Sequence, residues 1–150
     1  MRNEEKNMLR LIVAIVSLGF CSVAAAQLLT LADVKAKNGV QLSAEELKQL
    51  MPGAKVISRT QAGSTRSWTN GADGTFVASF DGRGFAGGKT IVSTGAGTWR
   101  VADNGRLCMA IKWNVTPEDW CRVMFKVGDK YYGVGRLDDN APASEFEFSK

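Results

Sequence analysis

From Leu28 onward the spacing of apolar residues changes character once, separating a short helical stretch from a long β region. LLTLADVKAK (28–37) has helical spacing, and Asn38-Gly39 ends it. LSAEELKQLMPG (42–53) is the clearest local pattern in the chain. Ser43 can cap a helix whose third residue is Glu46, the reciprocal capping box, with Leu42 as staple residue and Leu47 and Leu50 on one face. Met51-Pro52-Gly53 stops it. A helix of about two turns does not stand alone in water, so it must be held by packing on another element. After Gly53 the period becomes alternating. AKVISRTQ, STRSWTN, TFVASF, KTIVST, GAGTWRVAD, RLCMAIKW, WCRVMFKV, KYYGVGR and SEFEFS read as strands. Asn70 to Gly74, Asp103-Asn104-Gly105 and Gly128-Asp129 read as turns, and DGRGFAGG (81–88) as a glycine-rich loop.

Short strands at turn spacings of about 8–12 residues predict a mainly β domain. The expected architecture is an antiparallel meander forming a small barrel or strongly curved sheet, with one or two short N-terminal helices. The domain is expected over residues 42–150, with 27–41 as an N-terminal helical segment or linker.

The beginning of the chain changes the picture of where this domain works. MRNEEKNMLR is polar and ends in Arg10; LIVAIVSLGFCSVAA follows, too short for a comfortable membrane span, and closes on Ala24-Ala25-Ala26. This is the pattern of a signal peptide, cleaved after residue 26, and it predicts a periplasmic or secreted protein with no transmembrane span after cleavage. Of three cysteines, Cys21 falls in that segment, and the large Phe20 before it argues against lipidation. Cys108 and Cys121 remain as an even pair that an exported protein is expected to join, on consecutive strands. In the chain-entropy picture such a bridge contributes about 3 kcal/mol.

The full chain carries 19 Lys and Arg against 15 Asp and Glu. Removing Arg2, Lys6, Arg10, Glu4 and Glu5 with the signal would leave 16 against 13, scattered rather than clustered. No nucleic-acid partner is expected from so sparse a positive charge. There is no histidine anywhere. A Ser-His-Asp or Cys-His site therefore cannot be built, nor a zinc site that uses imidazole. No metal and no cofactor is expected.

GTWRVADNGRLCMAIKWNVTPEDWCRVMFKVGDKYYGV carries Gly97-Thr98-Trp99, Gly105, Cys108, Trp113, Cys121-Arg122, Gly128-Asp129 and Tyr131-Tyr132. Together with the helix LSAEELKQLMPG and the segment SWTNGADGTF, this resembles small exported proteobacterial proteins grouped as a domain of unknown function, over Leu42 to Tyr132. The resemblance implies a small β-rich exported domain and supplies no activity. Gly97-Thr98-Trp99 also carries a weaker likeness to lipocalin-like barrels.

Candidate ligand-binding residues are Trp68, Trp99, Trp113, Tyr131 and Tyr132, aromatic side chains that could line a cavity, as Trp120 also could, or stack on a sugar or peptide. The alternative for the tryptophans is a place in the core. The loop DGRGFAGGK could cradle an anion, helped by Arg83 and Lys89, or serve as a hairpin connection. Arg100 and Arg122 are expected to face solvent, since their neighbours Trp99 and Cys121 are expected to point inward. Asp73, Asp81 and Asp103 fit turns rather than a calcium loop, and the adjacent pairs Glu118-Asp119 and Asp138-Asp139 point apart. The expected function is a non-enzymatic binding domain for an unknown small molecule, envelope component or protein, with a closed apolar cavity under Trp99 and Trp113. The alternatives are an inhibitor or structural envelope protein using the loop 81–89, and a histidine-free hydrolase acting on envelope material.

Overall fold

The computed structural model describes residues 28–60, 63–83 and 90–150. Two short helices, α1 (Leu31–Ala36) and α2 (Ala44–Leu50), flank a two-residue strand, β1 (Val40–Gln41). Then follow β2 (Lys55–Arg59), β3 (Thr65–Thr69), β4 (Thr75–Arg83), β5 (Thr90–Val101), β6 (Leu107–Trp113), β7 (Glu118–Val127), β8 (Lys130–Val134) and β9 (Ala143–Ser149). Each of β2 to β8 pairs antiparallel with its successor, and β9 returns to β2 with Val56 opposite Phe148 and Ser58 opposite Phe146. The meander therefore closes into an eight-stranded barrel. β1 adds to β7 beside β6, pairing Val40 with Lys126.

Alternation decides which side chains enter. Val56, Trp68, Phe76, Ala78, Leu107, Met109, Ile111, Met124 and Phe146 form the interior cluster. The observed β5 is one strand of 12 residues, not two. Gly95 and Gly97 read as a break in the sequence, but they act as space-makers in its middle. A Cβ at Gly97 would stand 2.2 Å from the Phe76 ring, and one at Gly95 2.8 Å from Trp113. β4 likewise runs on to Arg83, through residues expected to be loop.

The two helices do different work. α2 closes one end of the barrel: Leu47 and the capping residue Met51 are fully buried and join the interior cluster. Ser43 and Glu46 form the expected capping box. Gly53 ends the segment at φ 72°, a conformation glycine adopts without a Cβ clash. α1 packs outside the barrel, with Leu31 and Val34 against Val123, Phe125, Tyr132, Val134 and Ala143. It has its own capping box, Thr30 with Asp33, and backbone bonds from Leu31 N–H to Ala141 O (2.9 Å) and Ala32 N–H to Asp139 O (3.0 Å) hold it there. This outer cluster makes β7 and β8 apolar on both faces, which explains the unbroken run Val123-Met124-Phe125. Among the described residues no helix is long and apolar enough to cross a membrane. The expected signal segment, residues 1–26 with Cys21, lies outside the described residues.

Candidate functional site

α2 occupies one end of the barrel, and the polar chemistry gathers at the other, where β3, β7 and β9 present Arg66, Glu118, Trp120, Arg122 and Ser144 inward. Alternation along Glu118-Asp119-Trp120-Cys121-Arg122 puts Glu118, Trp120 and Arg122 on the inner face and Asp119 and Cys121 on the outer one. The disulfide joins Cys108 to Cys121, directly opposite each other on β6 and β7. Because Leu107, Met109 and Ile111 take the inner face of β6, both sulfurs lie outside. The expectation that Arg122 faces solvent is thereby corrected: it shares the interior with Trp120, while Arg100, beside inward-facing Trp99, is exposed as expected.

Arg66 and Glu118 form an ion pair at 2.6 Å, with Arg66 only 19% exposed. Glu118 also accepts from the Trp113 indole N–H at 3.0 Å. Arg122 lies over the Trp120 ring at 4.8 Å and the Phe146 ring at 5.9 Å, and donates weakly to Gly133 O at 3.4 Å. Gly133 makes this possible, since a Cβ there would stand 3.0 Å from Arg122 Cδ and 2.9 Å from Phe146. Among the described residues Arg122 forms no ion pair. Burial, and then repulsion from Arg66, pull its guanidinium below its ordinary pKa, against the attraction of Glu118. An arginine stays protonated regardless, so the charge is retained at an energetic cost.

Two buried N–H groups here have no partner among the described residues, Arg66 Nε and Trp120 Nε1. Most buried polar groups in folded proteins are paired, so two orphans in one place call for an explanation. Two guanidiniums against one carboxylate also leave one positive charge uncompensated. A third arginine at the rim, Arg136, is already paired with Asp138 at 3.0 Å. The mouth opens into a cleft of about 600 Å³. Arg66 and Glu118 are shared with a second, more apolar cleft of about 300 Å³ lined by Phe80, Trp113 and Val115. Among the described residues no group of three His, Cys, Asp or Glu side chains converges to hold a metal.

The family described as "Protein of unknown function (DUF995)" matches residues 23–121. The chain belongs to this family. The DUF995 match includes Arg66, Glu118 and Trp120 and ends one residue before Arg122. Comparison with curated proteins and with solved structures gives no match.

The sequence-predicted aromatics do not converge. Trp68 is buried at the closed end, stacked on Phe76 at 5.3 Å, with its N–H on Asn70 Oδ1. Trp99 lies on the inner face near that end and donates to Gly71 O at 3.0 Å. Tyr131 packs edge-on against Phe148, at 4.9 Å between ring centroids. Tyr132 points outward but is covered by α1, so neither tyrosine stands free. Trp113 alone of the five lines the open end. The closed cavity expected under Trp99 and Trp113 is replaced by packed side chains, Trp68, Phe76 and Met109 among them, and by clefts open to solvent. The anion-cradle expectation rests on Lys89 and the Arg83 side chain, which lie outside the described residues. Sequence reasoning counted Trp120 among the tryptophans that could line a cavity but missed Arg66 and Arg122 beside it. The available signal was parity: once Met124 is assigned to the interior, Arg122 and Trp120 follow.

Proposed function

We propose that this protein is an exported, non-enzymatic binding domain that takes a small ligand at the open end of its barrel, in the periplasm or outside the cell. The observation that carries the reading is the pair of buried N–H groups without a partner among the described residues, beside a half-buried arginine whose charge is uncompensated. A folded chain gains nothing from leaving such groups unpaired, whereas a binding module uses them when its ligand arrives. Catalysis has little support at this place. Glu118 is engaged by Arg66 and Trp113, Asp119 sits on the opposite face, and there is no histidine to carry a proton. The Cys108–Cys121 bridge suits an oxidising compartment.

Native mass spectrometry of the protein purified from its own periplasm, with and without reductant, tests this. The expected result is an oxidised chain beginning near Gln27 with a co-purifying small-molecule adduct. A chain recovered only from the cytoplasm, or one that carries no adduct, would count against the reading.

A further inference from the structure

The nature of the ligand can be argued from the same end of the barrel, and the argument rests on reading the barrel as a binder. We infer that the open end receives a small amphiphilic carboxylate, its head group meeting Arg122, Arg66 and the Trp120 N–H, its apolar part lying between Phe80, Trp113 and Val115.

Charge selects the head group. Arg66 and Arg122 face one carboxylate, Glu118, so the interior lacks one negative charge. A monoanion neutralises it, whereas a cation would add to the repulsion that Arg122 already feels from Arg66. Donor geometry agrees with this. The open groups are N–H donors, Arg66 Nε and Trp120 Nε1, and a carboxylate is all acceptor, with room for several donors on its two oxygens.

Hydrophobicity selects the rest. Phe80 and Trp113 meet edge to face at 6.1 Å and form the wall of the smaller cleft, and Val115 at its rim is 92% exposed. The Arg66–Glu118 pair lines both clefts, so the charged surface and the apolar one adjoin at that pair. A volume of about 300 Å³ suits a short acyl chain or single ring, not a long lipid.

Trp113 and Trp120 bracket the site, so intrinsic fluorescence reports occupancy. The oxidised protein is titrated at low salt with octanoate, with octanol as the uncharged match and acetate as the head group alone. Octanoate should saturate, binding about tenfold or more tighter than octanol, the size expected of a charge-assisted hydrogen-bonded contact, and about tenfold or more tighter than acetate through burial of its chain. Arg122→Gln should remove the preference for octanoate over octanol. Val115→Asp, at an exposed position where folding is not at risk, should weaken octanoate about tenfold by adding a negative charge at the rim. Octanol binding as tightly as octanoate would overturn the carboxylate assignment and leave the binder reading intact; acetate matching octanoate would overturn the apolar half. Unchanged octanoate binding in both variants would place the ligand elsewhere and overturn the inference. Failure of all three probes on the parent protein would also overturn it, while the co-purified adduct judges the binder reading independently.

Discussion

The two ends of this barrel solve the same problem in opposite ways. At the end closed by α2, buried polar groups are fully employed. Asn70, 1% exposed, accepts from Trp68 Nε1 at 2.9 Å and donates from its amide nitrogen to Met51 O at 2.9 Å. Its backbone N–H reaches Ala54 O at 2.9 Å and its carbonyl receives Gly53 N–H at 3.0 Å. One side chain thus ties the strand end, an indole and the end of α2 into a satisfied network. At the open end two buried donors, Arg66 Nε and Trp120 Nε1, have no partner among the described residues, and one positive charge is in surplus. A satisfied network specifies structure; an incomplete one of the same kind, held in place by aromatic packing, is where a ligand completes the count.

The contrast breaks hardest at Leu47, which lies fully buried where α2 meets the barrel. Leu47→Ala leaves a void that the closed end cannot easily collapse into, and should cost about 3 kcal/mol of stability. Thermal unfolding should show the midpoint falling by roughly 10 °C or more, with octanoate affinity of the folded fraction unchanged. A loss of affinity equal to that of Arg122→Gln would show that the two ends are coupled rather than separate.

Next in size is Asn70→Ala, which orphans the Trp68 indole N–H and takes one of its two donors from the Met51 carbonyl, leaving it the Ala54 N–H at 3.2 Å. The expected loss is about 2 kcal/mol, read from denaturant midpoints with an unchanged slope. A change under about 0.5 kcal/mol would mean that water repairs the network, and the closed end would lose its claim to be the drier one.

The opposite behaviour is expected at Arg122. Arg122→Met keeps an apolar stem against Trp120 and Phe146 while removing a desolvated cation and its repulsion with Arg66. Stability should stay within about 1 kcal/mol of the parent or rise, since replacing buried charge with packed apolar groups is commonly neutral or better. Octanoate binding should drop. Should this variant instead unfold as readily as Leu47→Ala, the mouth is structural and its charge belongs to folding.

How much of this was legible depends on the range of the forces involved. The capping box at Ser43 and Glu46, the turn at Asp103-Asn104-Gly105 and the pairing of Cys108 with Cys121 are local or compartmental signals, and each appears in the structure where the residues put it. Closure of the barrel is not local. It needs Lys55–Arg59 to find Glu145–Ser149 across most of the chain, and alternation alone does not say which strand meets which. Gly95 and Gly97 look like punctuation until Trp113 and Phe76 are seen lying on them. Arg122 went to the wrong face because Cys121 was credited with the interior; a cross-strand disulfide on the outer face of a barrel inverts that parity. The aromatics were readable as important but not as separated, since Trp68 and Trp113 occupy opposite ends for reasons set by register.

The smallest effect expected concerns the cap that starts α2, and it sharpens the comparison by pH. Glu46 accepts from the Ser43 backbone N–H at 2.7 Å and from its hydroxyl at 2.9 Å; these two bonds, the backbone one foremost, hold its carboxyl below the usual range. Asp33 is lowered in the same way by Thr30 at the start of α1. A carboxylate whose folded pKa is depressed contributes stability that is fully present above its unfolded pKa and fades as pH falls through the folded one. The contribution should therefore be constant near neutrality and decline from about pH 5 downward. Glu46→Gln, which cannot titrate, should flatten that acid limb slightly in thermal midpoints taken from pH 7 to pH 3, and Arg122→Met should follow the parent curve. The difference is small because both partners of the cap are exposed, and water can take the place of a lost hydrogen bond there in a way it cannot beside Asn70. Identical acid limbs in parent and Glu46→Gln would mean that the interior contacts of Leu47 and Met51 alone hold α2 over the closed end.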